Sequence, residues 1–245
     1  MPPDAIASSH ATIERAAPTL SSARNTDKED AISLYEHVAW VYAFCREHVF
    51  RDDTQRIIGA LWPNGRPRPG TKLIELGCGP GFYSCRLAER FPDVFITGVD
   101  CSESQLQWAR NRAETHGLNN CSFKRVNVLQ LACADREFHM LLASRLFTIL
   151  PEPGRAIAEM YRVLKPGGRC FIAEPRHGFR ASIPLFAMWL FAGMTRFQNG
   201  YREPRQATVF SAQAFGNLFP TQPWKEIKIW QEGAYQYAVC EKDGV

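Results

Sequence analysis

The stretch LIELGCGPGFYS, residues 73 to 84, limits the fold more tightly than any other part of the chain. An apolar run, KLIEL, ends directly in a turn built from Gly77, Gly79, Pro80 and Gly81, and a helical pattern follows over Phe82 to Phe91. Strand, glycine turn and helix in that order bring bare backbone to the carboxyl edge of a parallel sheet, where helix-start N–H groups can meet a ligand. The alternation then repeats. VFITGV reads as a strand, and residues 102 to 116 as a helix with Ser102 as N-cap and Gln105 at capping-box spacing. CSFKRV and HMLLA read as strands. Glu152 to Leu164 reads as a helix with Ile157, Met160, Tyr161 and Leu164 on one face, and RCFIAE as the next strand. Such alternation predicts a parallel sheet covered on both faces. The ending differs: after a capped helix at SAQAFGNLF, EIKIWQ and YQYAVCEK are separated by Glu232-Gly233-Ala234, the spacing of an antiparallel hairpin.

At 245 residues the chain can bury one large core, and 45% apolar with 22% charged residues is ordinary for a soluble enzyme. A net charge of +4 is too small to point to nucleic acid. The eight cysteines form no CxxC pair and no Cys/His cluster, so buried free thiols in a reducing, cytoplasmic setting are expected, with no metal. Residues 1–30 have no continuous apolar segment of the secretory kind and read as a mobile tail. From Ala31 to Cys45 a helix would put Leu34, Val38, Val41 and Cys45 on one face, with Tyr35, Trp40 and Tyr42 around it. A second helix is expected over Thr54 to Leu61, before WPNGRPRPG breaks the pattern.

The turn's spacing is GxGxG, which differs from the GxGxxG of dinucleotide folds, and no GK[ST] follows to make a phosphate loop. Asp100 ends the second strand 19 positions after Gly81, where a ribose-binding carboxylate belongs. ELGCGPG followed by GVDCSESQLQWAR resembles motifs I and II of the class I S-adenosylmethionine-dependent methyltransferases. The resemblance extends from about Ala31 to Lys242, taking in FHMLLASRLFTIL and EMYRVLKPGGRCFIAEP, and is closest to the ubiquinone/menaquinone-type small-molecule branch. It implies an α/β, Rossmann-like sheet of seven strands with the last one antiparallel and helices on both faces. It also implies S-adenosylmethionine as cofactor. By the same resemblance Glu75 would hold the methionine amino group, while Gly77, Cys78 and Gly79 line the methionine side. Asp100 would accept the ribose hydroxyls, with Cys101 beside the adenine and Gln105 close by. Asn127 and Val128 would meet the adenine edge, where the family prefers Asp, and Ser144 and Arg145 would border the transferring methyl. Two departures stand out. His139 replaces the acid that normally opens the fourth strand and is expected to be structural, and Phe147-Thr148 replaces a frequent His-His pair.

Methyl transfer from a sulfonium needs alignment and exclusion of water more than it needs a base. The resemblance divides residues 31–245 into a helical cap at 31–69, the sheet domain, and an acceptor lid inserted at 175–210. Within the lid, Ile183 to Met194 is nearly all apolar and too short for the about 20 residues of a bilayer span. It reads as a buried lid helix, with a peripheral membrane contact as the alternative. Expected acceptor contacts are Tyr35, Trp40, Tyr42, Arg176, Arg180, Phe186, Trp189 and Tyr201, and the candidate bases are His177, His37 and Tyr35. The expected partner is a small, largely apolar or aromatic acceptor. A nucleic-acid methyltransferase is disfavoured because ASRL stands where [DN]PP[YF] would be and no basic domain is appended. A non-catalytic S-adenosylmethionine-binding protein is the other reading, kept open by His139 and Asn127.

Overall fold

The short apolar runs KLIEL, VFITGV, HMLLA and RCFIAE become strands, because a central strand buried on both faces needs continuous side-chain cover. The computed structural model describes residues 33–194 and 209–244. The parallel strands are β1 (Lys72–Leu76), β2 (Phe95–Asp100), β3 (Cys121–Arg125), β4 (Phe138–Ser144) and β5 (Leu164–Pro175). β6 (Trp224–Glu232) and β7 (Tyr235–Lys242) form the hairpin, and β7 joins β5 antiparallel, with Cys170 opposite Cys240. The sheet order is β3-β2-β1-β4-β5-β7-β6, seven strands that reverse direction of progress between β1 and β4.

The helices are α1 (Leu34–His37), α2 (Ala39–His48), α3 (Thr54–Leu61), α4 (Phe82–Arg90), α5 (Glu103–Thr115), α6 (Pro153–Val163), α7 (Gly178–Gly193) and α8 (Ala212–Gly216). Alternation along β1 sends Ile74 and Leu76 to one face, against Ile157 and Met160 of α6 and Phe215 of α8. Leu73 goes to the other, against Ile57 and Leu61 of α3 and Leu87 of α4. Glu75 lies on that second face, toward α4, which decides its later role.

Three expectations need correction. The helix over residues 31 to 45 is broken at Val38 (φ −125°, ψ 42°), which lets the Tyr35 and Tyr42 rings meet edge to face at 5.3 Å. Leu34, Val38, Val41 and Cys45 nevertheless share one buried cluster. Ser102 caps α5 by accepting from Gln105 N at 3.2 Å, but the box stays half-made. The Ser102 N–H is taken by Asp100, and the Gln105 side chain donates to Ala39 O instead. Cys101 is exposed and Cys121 and Cys133 are half-buried, because they sit at strand ends toward the sheet edge and in a loop rather than in the core.

Candidate active site

The site grows from the carboxyl ends of β1, β2 and β4, at the point where the strand order reverses. After β1 the chain folds back so that Cys78 N donates to Val99 O at 3.0 Å and Gly79 N donates to Asp100 Oδ2 at 2.9 Å. Asp100 Oδ1 accepts from Ser102 N, also at 2.9 Å. Gly79 has φ +51°, and a Cβ there would come within 3.2 Å of the Tyr42 ring. Above this turn lies a cavity of about 340 Å³, within the range of small-ligand sites. Its polar rim is Asp100, Gln105, Asn127 and Arg145. Val126, Val128, Leu129, Leu146, Ile149 and Leu150 make the apolar wall, and Tyr35 and Tyr42 of the cap close it. Cys101, Gly77 and Gly79 complete it. A narrow extension shares Tyr42, Gly77 and Arg145 with the cavity and continues to Arg46, Glu75, Cys78 and Ser144. Larger hollows of about 810 and 650 Å³ lie between α3, α4 and α5 and under the opposite edge of the sheet, away from the glycine turn.

Charge in the extension is arranged in opposed pairs. Glu75 is 3% exposed and accepts from Ser84 Oγ. Burial pushes its carboxyl up to about 7, against the pull of the Ser84 hydrogen bond and the nearby Arg46 guanidinium. Arg46 is 5% exposed, packed over the Phe82 and Tyr83 rings at 4.0 and 4.4 Å. Its Nη1 donates to Arg51 O, but Nε and Nη2 have no protein acceptor. A buried guanidinium with idle donors is costly unless something anionic meets it. Gln105 Oε1 is likewise buried without a donor. Arg145 sits at φ +59°, rare for a residue with a side chain, held by its N–H to Ala173 O and by Nη1 donating to Tyr235 Oη at 2.8 Å. Behind it Glu174 accepts from Leu146 N and Phe147 N through Oε1, fixing the loop after β4. Burial raises that carboxyl too, to about 7.

The cofactor-side residues named from sequence therefore meet: Glu75, Gly77, Cys78, Gly79, Asp100, Cys101, Gln105, Asn127, Val128, Ser144 and Arg145 all line the cavity or its extension. Asn127 is less free than expected, since its Oδ1 already accepts from Leu129 N at 2.9 Å. The acceptor-side residues mostly do not meet. Among the described residues, only Tyr35 and Tyr42 of that set line the cavity. His37 is exposed and borders an outer hollow with Trp40. His177 is exposed at the start of α7, and Arg176 leans on the hairpin turn at Gly233 O. Phe186 is 66% exposed and Trp189 packs against the α1–α2 cluster. The reason is the docking of α7: Met188 and Ala192 bury themselves against Leu34, Val38, Val41 and Cys45, which turns Phe186 outward. Arg180 lies on α7, but its side chain, like Tyr201, is outside the described residues. His139 stands at the far edge of the sheet, its Nδ1 accepting from Lys72 N at 2.9 Å. Arg46 was missed because nothing in its neighbourhood of sequence marks it; only the folding of α2 over the glycine turn brings it to Glu75.

A methyltransferase-domain family model matches residues 67–231, and the chain belongs to that family. Its fold is that of the class I S-adenosylmethionine-dependent methyltransferases. A demethylmenaquinone methyltransferase of Listeria welshimeri is 28% identical over 136 residues, 55% of each chain. An arsenite methyltransferase of Halobacterium salinarum is 32% identical over 43% of this chain and 27% of its own. The matches thus span little more than half of the first relative's length and about a quarter of the second's. Among solved structures, phosphoethanolamine N-methyltransferase 2 of Haemonchus contortus superposes with a TM-score of 0.64 at 12% identity, covering 86% of this chain and 59% of that one. The residues present fit S-adenosylmethionine. A zwitterionic end can meet Glu75 and the idle Arg46 donors, and a diol can meet the Asp100 carboxylate at the cavity rim.

Proposed function

We propose that this protein transfers the sulfonium methyl of S-adenosylmethionine to a small, largely apolar or aromatic acceptor by in-line displacement. The observation that carries the reading is the buried Arg46 guanidinium, whose Nε and Nη2 have no acceptor, beside Glu75 at the end of a cavity that also holds Asp100. In this reading Arg46 takes the donor's carboxylate, Glu75 its ammonium and Asp100 its ribose hydroxyls. Cys101, Val128 and Asn127 frame the adenine, and Gln105 offers Oε1 to the sugar. Ser144 and Arg145 border the sulfonium methyl. The donor carries its own activation as a cation, so the chain's task is to hold it in line and keep water out. Tyr35 and Tyr42 close the cavity and are the contacts assigned to the acceptor, and Tyr35 is the one sequence-named base that lines it. The cap at 31–69 is assigned to this closure. The scattered thiols, none joined in a disulfide among the described residues, support a cytoplasmic setting. The relatives' acceptors, demethylmenaquinone and arsenite, support a small molecule over nucleic acid.

Titration calorimetry tests the donor assignment. Asp100→Ala should weaken S-adenosylmethionine binding by about 1.5–3 kcal/mol and Arg46→Gln by a similar amount, the scale of charge-assisted hydrogen bonds. Unchanged affinity in both folded variants would sink it. Turnover against a metabolite extract then separates an enzyme from a protein that only binds the donor.

A further inference from the structure

The helix α7 is apolar on both sides, and among the described residues only one side is packed. Ala181, Leu185, Met188 and Ala192 are buried against the molecule. Phe179, Phe186, Leu190 and Met194 are 82, 66, 60 and 79% exposed, spaced to form a single stripe along the opposite side. The stripe continues onto α2: Phe191 meets Trp40 edge to face at 4.9 Å, and Trp40 and Phe44 are 48 and 57% exposed. A contiguous apolar surface of this kind marks a binding face.

Charge identifies the occupant. Between Glu174 and Glu203 the sequence contains no Asp or Glu, while Arg176 and Arg180 stand at the start of α7. The two acids of α1 and α2 are both engaged elsewhere: Glu36 accepts from Glu103 N and Ser104 N, and Glu47 pairs with Arg112. An apolar, aromatic stripe with cations at its end and no free acid is complementary to an anionic lipid surface. The helix has 16 residues, and no helix among the described residues is long and apolar enough to cross a membrane, so α7 would lie in the interface.

We infer that α7, with Trp40 and Phe44 of α2, docks the protein onto the surface of an anionic bilayer. Helices α1 and α2, on which α7 packs, carry Tyr35 and Tyr42 into the cavity, so docking sets the site's cap against the lipid. The consequence for substrate, an apolar acceptor drawn from the bilayer, rests on the methyl-transfer reading; the docking itself does not.

Co-sedimentation of the full chain with vesicles tests the docking without any turnover. Vesicles of phosphatidylcholine with 30 mol% (roughly, a strongly anionic surface) phosphatidylglycerol should retain the protein. Phosphatidylcholine alone should retain about tenfold less, and raised salt should release it. The variant Phe186→Glu with Leu190→Glu should lose about tenfold in vesicle binding while keeping its affinity for S-adenosylmethionine, which reports that it is folded. The inference is overturned if the wild-type chain does not bind anionic vesicles, or if the variant binds them as well. It is also overturned if sedimentation shows the stripe sealed in a dimer that the double substitution dissociates. Loss of donor binding by the wild-type chain would instead strike the methyl-transfer reading and leave the vesicle result standing.

Discussion

Burial pushes the Glu75 carboxyl up to about 7, where an ordinary carboxyl ionises near 4.5. A raised folded value means that the group's contribution to stability is complete below about 4.5 and is lost as pH rises through about 7. Glu75→Gln keeps the side chain's shape and an acceptor for Ser84 but cannot ionise. Thermal melts of the donor-free protein should therefore decline less between about pH 5 and 8 in the variant than in the wild type, at up to roughly 1.4 kcal/mol per pH unit over the titrating range. Identical pH profiles would show that the carboxyl is not desolvated. Arg46 completes the pair, since a donor that brings both charges would satisfy both groups at once. Neither group is arranged to be comfortable alone.

At the scale of elements, the glycine turn does two separate jobs. Gly79 leaves room for a ligand, while Gly81, at φ +72°, lets α4 start directly against α5. A Cβ at Gly81 would lie 2.8 Å from the Ala109 Cβ, so the two helices would have to part. Gly81→Ala should destabilise the fold by about 2–4 kcal/mol, combining left-handed strain with overpacking. Ser102→Ala removes the N-cap bond of α5 and the Oγ donation to Tyr35 O, and should cost less, about 1–2 kcal/mol. Urea unfolding of the two variants checks the order. The reverse order would mean that α4 and α5 can shift apart freely, and the cavity floor with them.

Across the whole molecule, the cap is tied to the sheet domain by a clasp at the start of α5. Glu36 accepts from Glu103 N at 2.6 Å, Ser104 N at 3.1 Å and Ser104 Oγ at 2.7 Å. Burial alone would raise this carboxyl, but the Ser104 and Glu103 hydrogen bonds outweigh it and hold the group below its usual range. The clasp's stability is thus present above about pH 4.5 and is lost as pH falls through the lowered value. Glu36→Ala should loosen residues 33–50, seen as faster proteolysis there and as weaker donor binding, because Tyr35 and Tyr42 would no longer be held over the cavity. The loss should be about 1–3 kcal/mol of cap closure. If proteolysis and affinity stay unchanged, the cap is held by its remaining ties, among them the Gln105 and Arg112 bonds and the apolar contacts with α7. A second tie anchors the hairpin: Arg56 bonds Asp53, Tyr237 and Glu232, joining α3 to β6 and β7.

What the sequence determined by itself is what depends on neighbours along the chain. Apolar runs set the strands, the glycine turn set the path from β1 to α4, and Ser102 set the start of α5, because each rests on backbone geometry within a few residues. Asp100 could be named for the same reason, from its position at a strand end, whereas Glu75 and Asn127 were named through the resemblance of their motifs to the methyltransferase family. The tertiary structure decided everything that needs two distant surfaces to meet. Arg46 becomes a partner of the site only because α2 folds over the glycine turn and brings it to the end of the cavity that holds Glu75, 29 positions further along the chain. His37 and His177, plausible from position, end in solvent because docking orients their helices otherwise. An apolar helix such as α7 offers two similar faces, and sequence carries no signal for choosing between them. Only contact with Leu34, Val38, Val41 and Cys45 selected the buried one, and so left Phe186 and Leu190 outside.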